Sequence, residues 1–520
     1  EKDGYVSFAN CGLPYYLGGE ITERESLLVA KPEFLRQRYN LDVRTRHEVS
    51  GIDRAAKTVT VQNHETGETL TQPYDKLILA PGASPIVPPI EGVDAKNVFT
   101  LRNIEDTDAI ACSLSSDTKH AVVVGAGYIG LEMVEQLQLH GIKVALVEKM
   151  DQVLPIMDPE MTTPLRETLE QQLVDVHLGD EVTGLDAEDG WVKSVRLKSG
   201  ATLPADIVLL GIGVRPQTQL AEAAGLRIGQ TGGIAVNEYS QTDDPDIYAV
   251  GDAVEYRHAV LGESMRIPLA GPANRAGRLA GEHAATGQSP PMQPVLGTAI
   301  VRVFDLGAAT TGLTEKLAAR YGVDARSAYI VASHHAGYYP GAKPLRVKLL
   351  YAPDDGKVLG AQVVGAEGAD KRIDVIATAI HFGATVWDLG GLDLAYAPPY
   401  GSAKDPVHIA AFVAQNDLRE QAPLAGIHEP LDGVQLVDVR SAAEIERMCH
   451  GNALCIPIDE LRERKGELDP AKQTVVTCHS GLRAHIGARM LQCCGFDNVR
   501  NLAGGMLFQQ LAGRVPTKEA

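Results

Sequence analysis

The chain has 520 residues, with 48 basic against 67 acidic side chains and a formal charge of −19. That length is too great for one hydrophobic core and divides into three or four units of ordinary size. The negative charge, without a strong local basic patch, argues against nucleic acid or an anionic membrane as partner. No apolar run is long enough to cross a bilayer, and nothing at residue 1 resembles a signal peptide. The expectation is a soluble, cytoplasmic, multidomain enzyme. Seven irregularly spaced cysteines make no disulfide framework, and their odd number leaves at least one free thiol.

In chain order, Glu1-Lys2 has the same phase as Glu148-Lys149, as though the sequence began at the tip of a second strand whose preceding strand, glycine loop and helix were missing. Such a start takes about 30 residues, so a truncated first nucleotide fingerprint is expected. SFANCGLPYY then places Cys11 near a helix N-terminus, where the helix dipole is expected to lower the thiol pKa. YDKLILAPGASP (74–85) is a short apolar strand running into Ala80, Pro81 and Gly82, where the backbone must turn close to something bulky.

The clearest local pattern is AVVVGAGYIGLEMVEQLQLHGIKVALVEK, residues 121–149. It reads as a buried strand, a helix opened by Gly125, Gly127 and Gly130, a stop at Gly141, and a second strand ending at Glu148. The glycines allow a tight turn and let the backbone approach a pyrophosphate at the helix start, and Glu148 accepts from a ribose diol. A carboxylate there repels a 2′-phosphate, which favours NADH over NADPH; Lys149 keeps NADPH open. ADIVLLGIGVRPQ (205–217), with Gly213, repeats the pattern of a strand running into Gly and Pro. DIYAVGDAVE (246–255) ends a strand in Gly251-Asp252, and PLAGPANRAGRLAGEHAA (268–285) is a small-residue helix that opens with Pro268, Leu269 and Ala270.

Together these segments resemble the pyridine nucleotide-disulfide oxidoreductase family, in which two Rossmann-like domains hold FAD and NAD(P)H face to face. The resemblance implies that Asp252 binds the FAD ribityl chain and that the 268–285 helix lies beneath the flavin. Cys11 has no Cys-x4-Cys partner. SFANCGLPYYLGG resembles the single-cysteine branch, which contains coenzyme A-disulfide reductases, NADH oxidases and NADH peroxidases. A single thiolate must close its redox cycle with an external sulfur or oxygen, as a mixed disulfide, persulfide or sulfenic acid.

GTAIVRVFDLGAATTGLTEKLA and VKLLYAPDDGKVLGAQVVG resemble the family's C-terminal dimerisation domain, which implies a homodimer. The segments HHAGYYPGAKPLRVK (334–348) and AYAPPYGSAKDPVHIA (395–410) match those that supply two tyrosines to the partner subunit's active site, mapped here to Tyr339 and Tyr400. A phenol can hydrogen-bond a thiolate or protonate a leaving thiol. After Val413 a polar linker precedes alternating strands and helices, a small α/β domain. Its order resembles a rhodanese domain with Asp438-Val439-Arg440 at the first strand end and a loop from Cys478 to Arg483. Backbone N–H groups around Sγ stabilise a thiolate or persulfide, and Arg483 adds positive charge. Cys449, Cys455, Cys493 and Cys494 are expected to pack or lie idle, and no cysteine–histidine spacing matches a zinc pattern, so no metal is expected.

The expected architecture is α/β: two Rossmann-like FAD and NAD(P)H domains, an α+β dimerisation domain and a C-terminal α/β rhodanese domain. Its boundaries are 1–118 and 239–293 for FAD, 119–238 for NAD(P)H, 294–415 for dimerisation, 416–428 for the linker and 429–520 for the rhodanese domain. The expected activity passes a hydride from NADH through FAD to Cys11, which reduces a coenzyme A persulfide, a coenzyme A disulfide or polysulfide. Ser7 and Asn10 are candidates for the thiol end of coenzyme A, and Arg44, Lys343 and Arg346 for its phosphates. Two alternatives are an NADH oxidase or peroxidase cycling through a sulfenic acid, and a sulfurtransferase with a redox-sensing flavin module.

Overall fold

Residues 1–153 and 169–297 form one compact unit, and residues 154–168 and 298–520 a second. The computed structural model describes residues 1–447, 450–451 and 453–515, so Cys449 lies outside the described residues. Within the first unit the Val/Ile/Leu runs make a five-stranded parallel sheet, ordered Val98–Phe99, Ile207–Leu210, His120–Val124, Lys143–Glu148, Asp175–Leu178. Ile207–Leu210 is buried at every position, as continuous apolar strands are when both sheet faces are covered. Helix Tyr128–Leu139 leaves the strand His120–Val124 through the glycine turn. A Cβ on Gly130 would stand 1.9 Å from the Gly125 carbonyl oxygen, so only glycine allows this approach of helix to loop.

A second pairing joins segments remote in sequence. Leu77–Leu79 runs parallel to Ile247–Ala249, and the Val250 N–H donates to the Leu79 carbonyl at 2.9 Å. The chain therefore leaves both strands at the same end, through Gly82 on one side and Gly251-Asp252 on the other. The unit also holds two three-stranded antiparallel sheets, built on His47–Asp53 and on Val182–Glu188, and two-stranded antiparallel pairs at Ala83–Pro85 with Val214–Pro216 and at Glu255–Arg257 with Ser264–Arg266.

The second unit holds two five-stranded sheets. The first is antiparallel, ordered Ala299–Val303, Leu306–Gly312, Val358–Gly365, Pro344–Tyr351, Arg326–Ser333. Its central strand, Val358–Gly365, is buried throughout, and helices Ala369–His381 and Pro406–Leu418 pack against the sheet. The second sheet is parallel, ordered Leu424–Ala425, Val499–Leu502, Thr474–Thr477, Gln435–Asp438, Leu454–Cys455. No helix among the described residues is long and apolar enough to cross a membrane.

The buried strand Thr474–Thr477 runs into Cys478, and helix Gly505–Leu511 fixes the loop that follows. The Met506 and Leu507 N–H groups donate to the carbonyls of Cys478 and His479 at 2.8 and 2.9 Å. A Cβ at Gly505 would meet the Cys478 carbonyl oxygen at 2.5 Å, in a backbone at φ +63°. Gly505→Ala is expected to cost about 1–3 kcal/mol, read as an earlier urea midpoint for the parallel-sheet module. An unchanged midpoint would contradict the close approach.

Candidate active sites

Cys11 occupies a single 3₁₀ turn, Asn10–Gly12, followed at once by helix Leu13–Leu17. Leu13, Pro14 and Leu17 are buried and anchor the helix, while the Cys11 side is exposed. Asn10 Nδ2 donates to the Arg102 carbonyl at 2.7 Å, and Arg102 Nη2 reaches Asp252 Oδ2 at 3.5 Å. A Cβ on Gly82 would stand 2.9 Å from that same Nη2. The Cys11 turn, Gly82 and Asp252 are thus linked through Arg102, and Ser7 bridges Ala30 just before the turn.

Burial pushes the Cys11 thiol pKa up, Glu132 and Asp252 push it further, and Arg102 opposes them. This overturns the expected lowering. The helix after Cys11 has five residues, and its dipole is outweighed by desolvation and two carboxylates. Glu132 is held on the glycine-fingerprint helix, where its Oε1 accepts from the Tyr15 hydroxyl at 3.1 Å.

Glu148 ends its strand facing the glycine loop. Its Oε2 accepts from the Ala126 N–H and its Oε1 from the Met150 N–H, each at 2.8 Å. Lys149 is turned to Glu181, Nζ to Oε1 at 2.8 Å. Gly125 has φ +103°, and a Cβ there would meet the Gly211 carbonyl oxygen at 2.4 Å. Gly213, at φ +111°, accepts from the Ile86 N–H at 3.0 Å, which ties the loop after Ile207–Leu210 to the segment following Gly82.

In the second unit Tyr339 and Tyr400 lie on two loops that are stitched together. The Ala336 N–H donates to the Gly401 carbonyl at 2.9 Å, and the Tyr338 and Tyr396 hydroxyls meet at 2.7 Å. Beneath them the buried Arg372 grips Asp405, Nη2 to Oδ2 at 2.7 Å and Nε to Oδ1 at 3.3 Å, and its Nη2 also donates to the His334 carbonyl at 2.6 Å. Breaking such a buried pair costs about 3–5 kcal/mol, so Arg372 fixes both loops while the tyrosine rings stay 42 % and 74 % exposed.

Cys478 is buried, and its Sγ accepts from the Gly481 N–H at 3.1 Å. Arg440 makes a bidentate buried pair with Asp438 at the neighbouring strand end. Arg483 also has a partner, Glu444, with Nη2–Oε1 at 2.6 Å and Nη1–Oε2 at 2.8 Å. That hydrogen bond holds the Glu444 carboxyl well below the usual range. The expected free positive charge at the loop end is therefore compensated by a carboxylate. Burial, then Arg440, pushes His479 down.

The model for pyridine nucleotide-disulphide oxidoreductases matches residues 1–277, that for their dimerisation domain residues 298–406, and that for rhodanese-like domains residues 425–507. The chain belongs to the pyridine nucleotide-disulphide oxidoreductases. A coenzyme A disulfide reductase of Staphylococcus aureus is 36% identical over 80% of this chain and 93% of its own. A reduced Bacillus anthracis CoADR-RHD is 44% identical, with a TM-score of 0.95 over 99% of this chain and 93% of its own. An NAD-dependent persulfide reductase from A. fulgidus is 39% identical, with a TM-score of 0.90 over 98% and 94%.

The family implies FAD and NAD(P)H, and the residues present fit such groups. At Gly127 an added Cβ would meet no protein atom within 4 Å, which leaves the turn's backbone open to a phosphate. Next to it the Tyr128 hydroxyl is buried without a hydrogen-bond partner, and burial pushes its pKa up to about 12. An orphaned donor beside an open glycine turn suits a polar ligand.

Other expected site residues are more scattered. Glu1 and Lys2 are exposed, with Glu1 Oε1 accepting from the Asp3 N–H at 2.9 Å. Ala80 and Pro81 lie between the strand Leu77–Leu79 and Gly82; Pro268 and Leu269 precede the helix that begins at Ala270. Arg44 pairs with Asp42 at 2.6 Å and with Gln72 at 3.3 Å. Lys343 Nζ lies 3.9 Å from Glu367. Arg346 is half-buried on the strand Pro344–Tyr351, where burial pushes its guanidinium pKa down and Glu167 opposes that shift. Cys455, Cys493 and Cys494 are exposed rather than packed.

Arg102, Glu132, Arg372 and Glu444 were missed from the sequence. Only two carried a local cue: Glu132 follows Gly130 on the fingerprint helix, and Ser441-x-x-Glu444 is a capping pattern, with the Ser441 N–H donating to Glu444 Oε2 at 3.1 Å. Because Glu132 opposes ionisation of Cys11, Glu132→Gln is expected to speed alkylation of Cys11 at neutral pH a few-fold. The check is iodoacetamide capture followed by peptide mass analysis. A rate unchanged from wild type would remove Glu132 from the thiol's electrostatics.

Proposed function

We propose that this chain reduces coenzyme A persulfide and coenzyme A disulfide with NADH, using Cys11 as its redox sulfur. The observation that carries the reading is the setting of Cys11. It is an exposed thiol linked through Asn10 and Arg102 to Asp252 and within electrostatic reach of Glu132 on the dinucleotide helix. The first unit's other cysteine, Cys112, lies on helix Ile104–Ser113 and not in this constellation. The relatives named as coenzyme A disulfide reductase and persulfide reductase, and the fused rhodanese-like domain, support the same substrate class.

FAD supplies the two-electron link between NADH and sulfur. The residues of the chain do the rest. The Cys11 thiolate attacks a coenzyme A disulfide, releasing one coenzyme A thiolate, or a coenzyme A persulfide, releasing hydrosulfide; each route leaves a Cys11–coenzyme A mixed disulfide. Two electrons and a proton then free coenzyme A and restore the Cys11 thiolate. The balance is NADH plus a proton for two coenzyme A thiols, or for one thiol and hydrogen sulfide. Carboxylates facing Cys11 keep its thiolate scarce at rest but basic, hence strongly nucleophilic once formed.

Glu148 hydrogen-bonds the ribose diol and disfavours a 2′-phosphate, while Lys149, engaged by Glu181, does little to draw one in. Asp252 would hold the FAD ribityl chain. Ser7 and Asn10 receive the thiol end of coenzyme A, with Lys343 and Arg44 toward its phosphates. Tyr339 and Tyr400 serve the partner's Cys11 in a homodimer, donating a proton to the leaving sulfur. Cys478 carries sulfane sulfur on the rhodanese loop, and the enzyme is cytoplasmic.

The test is a pair of variants assayed with three substrates. Cys11→Ser is expected to keep flavin reduction by NADH but lose more than about a thousandfold in turnover of coenzyme A persulfide and disulfide. Cys478→Ser should keep both reductions and lose sulfur transfer from thiosulfate. Persulfide reduction surviving in Cys11→Ser would refute the assignment.

A further inference from the structure

The second unit gathers four charges that do not cancel, three of them buried and the fourth, Glu315, 36 % exposed. Lys348, on the strand Pro344–Tyr351 and fully buried, donates from Nζ to Asp158 Oδ2 at 2.7 Å and Glu160 Oε1 at 2.6 Å, and lies 3.1 Å from Glu315 Oε2. Three carboxylates against one ammonium leave two negative charges in excess. Gln362 donates to Asp158 and accepts from its N–H, and the Tyr329 hydroxyl donates to Glu160 Oε1 at 3.0 Å. These are neutral donors and add no charge.

One oxygen is left over. Glu160 is wholly buried, yet its Oε2 has no hydrogen-bond partner. That oxygen points toward His428, whose Nε2 is 3.9 Å away with the imidazole side chain 52 % exposed. Ligand atoms of Glu160, Glu315 and His428 all lie within 4.8 Å of one another. A buried carboxylate oxygen with no donor is costly unless a cation completes it.

We propose that Glu160, Glu315 and His428 form a binding site for a divalent cation of the zinc class. Two carboxylates and an imidazole are a donor set that suits Zn²⁺ better than the all-oxygen sites of calcium or magnesium. An ion of charge two cancels the excess left by Lys348. Bonds of about 2 Å require the donors to draw inward, and the half-exposed imidazole is the group free to do so. His428 follows the edge strand Leu424–Ala425 of the rhodanese-like module, next to Ile427, whose carbonyl accepts from Gln509. Glu160 and Glu315 open the helices Pro159–Gln171 and Glu315–Arg320. The ion therefore staples the start of that module to the antiparallel-sheet module and is structural, apart from the sulfur chemistry.

The experiment titrates Zn²⁺ into chelator-treated, FAD-loaded full-length protein by calorimetry, beside His428→Ala, Glu315→Gln and a Cys493→Ser, Cys494→Ser double variant. The expected result is one site per chain in wild type, weakened more than about tenfold by His428→Ala and Glu315→Gln and intact in the double cysteine variant. Hydrogen exchange of residues 427–429 should slow on Zn²⁺ addition in wild type and not in His428→Ala, an exposed change that leaves the buried charges in place. Titrations of wild type and His428→Ala that superimpose, absence of saturable binding, or loss of the site in the cysteine variant would each overturn the proposal.

Discussion

Parallel pairing of Leu77–Leu79 with Ile247–Ala249 is the constraint on which the first unit's chemistry rests. It brings two segments remote in sequence to one strand end, so that Gly82 and Asp252 emerge side by side and Arg102 fits between them. Arg102 then holds Asn10, and with it the turn bearing Cys11. The glycine-fingerprint helix Tyr128–Leu139 adds Glu132, and the thiol's ionisation is set by all of these charges together. No single segment carries the site. Its parts are two strand ends, a 3₁₀ turn and a helix, tied together by side-chain contacts through Asn10 and Arg102.

The same logic recurs around the tyrosine loops and the rhodanese loop. Arg372 spans from Asp405 to the His334 carbonyl and so fixes two loops with one buried guanidinium, leaving Tyr339 and Tyr400 to project outward. Glu444 does the reverse at Arg483: it occupies the guanidinium and moderates the field around Cys478. In each case an arginine beside a reactive loop is committed to a carboxylate partner.

Much of this was legible in the chain because it depends on local pattern. Strand, glycine turn, helix and terminal acid fall within residues 121–149, and Glu148 stands where that spacing puts it. The cysteine loops and the order of the modules were equally readable, and the family is the one their motifs resembled. What escaped was long-range. The sign of the Cys11 shift depends on Glu132 and Asp252, which sequence proximity does not associate with it. The half-buried setting of Arg346 near Glu167 does not show in its own segment. Arg372–Asp405 and the Lys348 cluster likewise arise only when strands and helices meet.

In the proposed mechanism one sulfur, Cys11, is served by phenols of a second copy of the chain. Its most direct test is a heterodimer pairing one Cys11→Ser chain with one Tyr339→Phe, Tyr400→Phe chain. In that dimer one site lacks its cysteine, and the other pairs Cys11 with intact tyrosines from its partner. Coenzyme A persulfide reduction near half the wild-type rate is expected. A rate no higher than that of the double-tyrosine homodimer would contradict it.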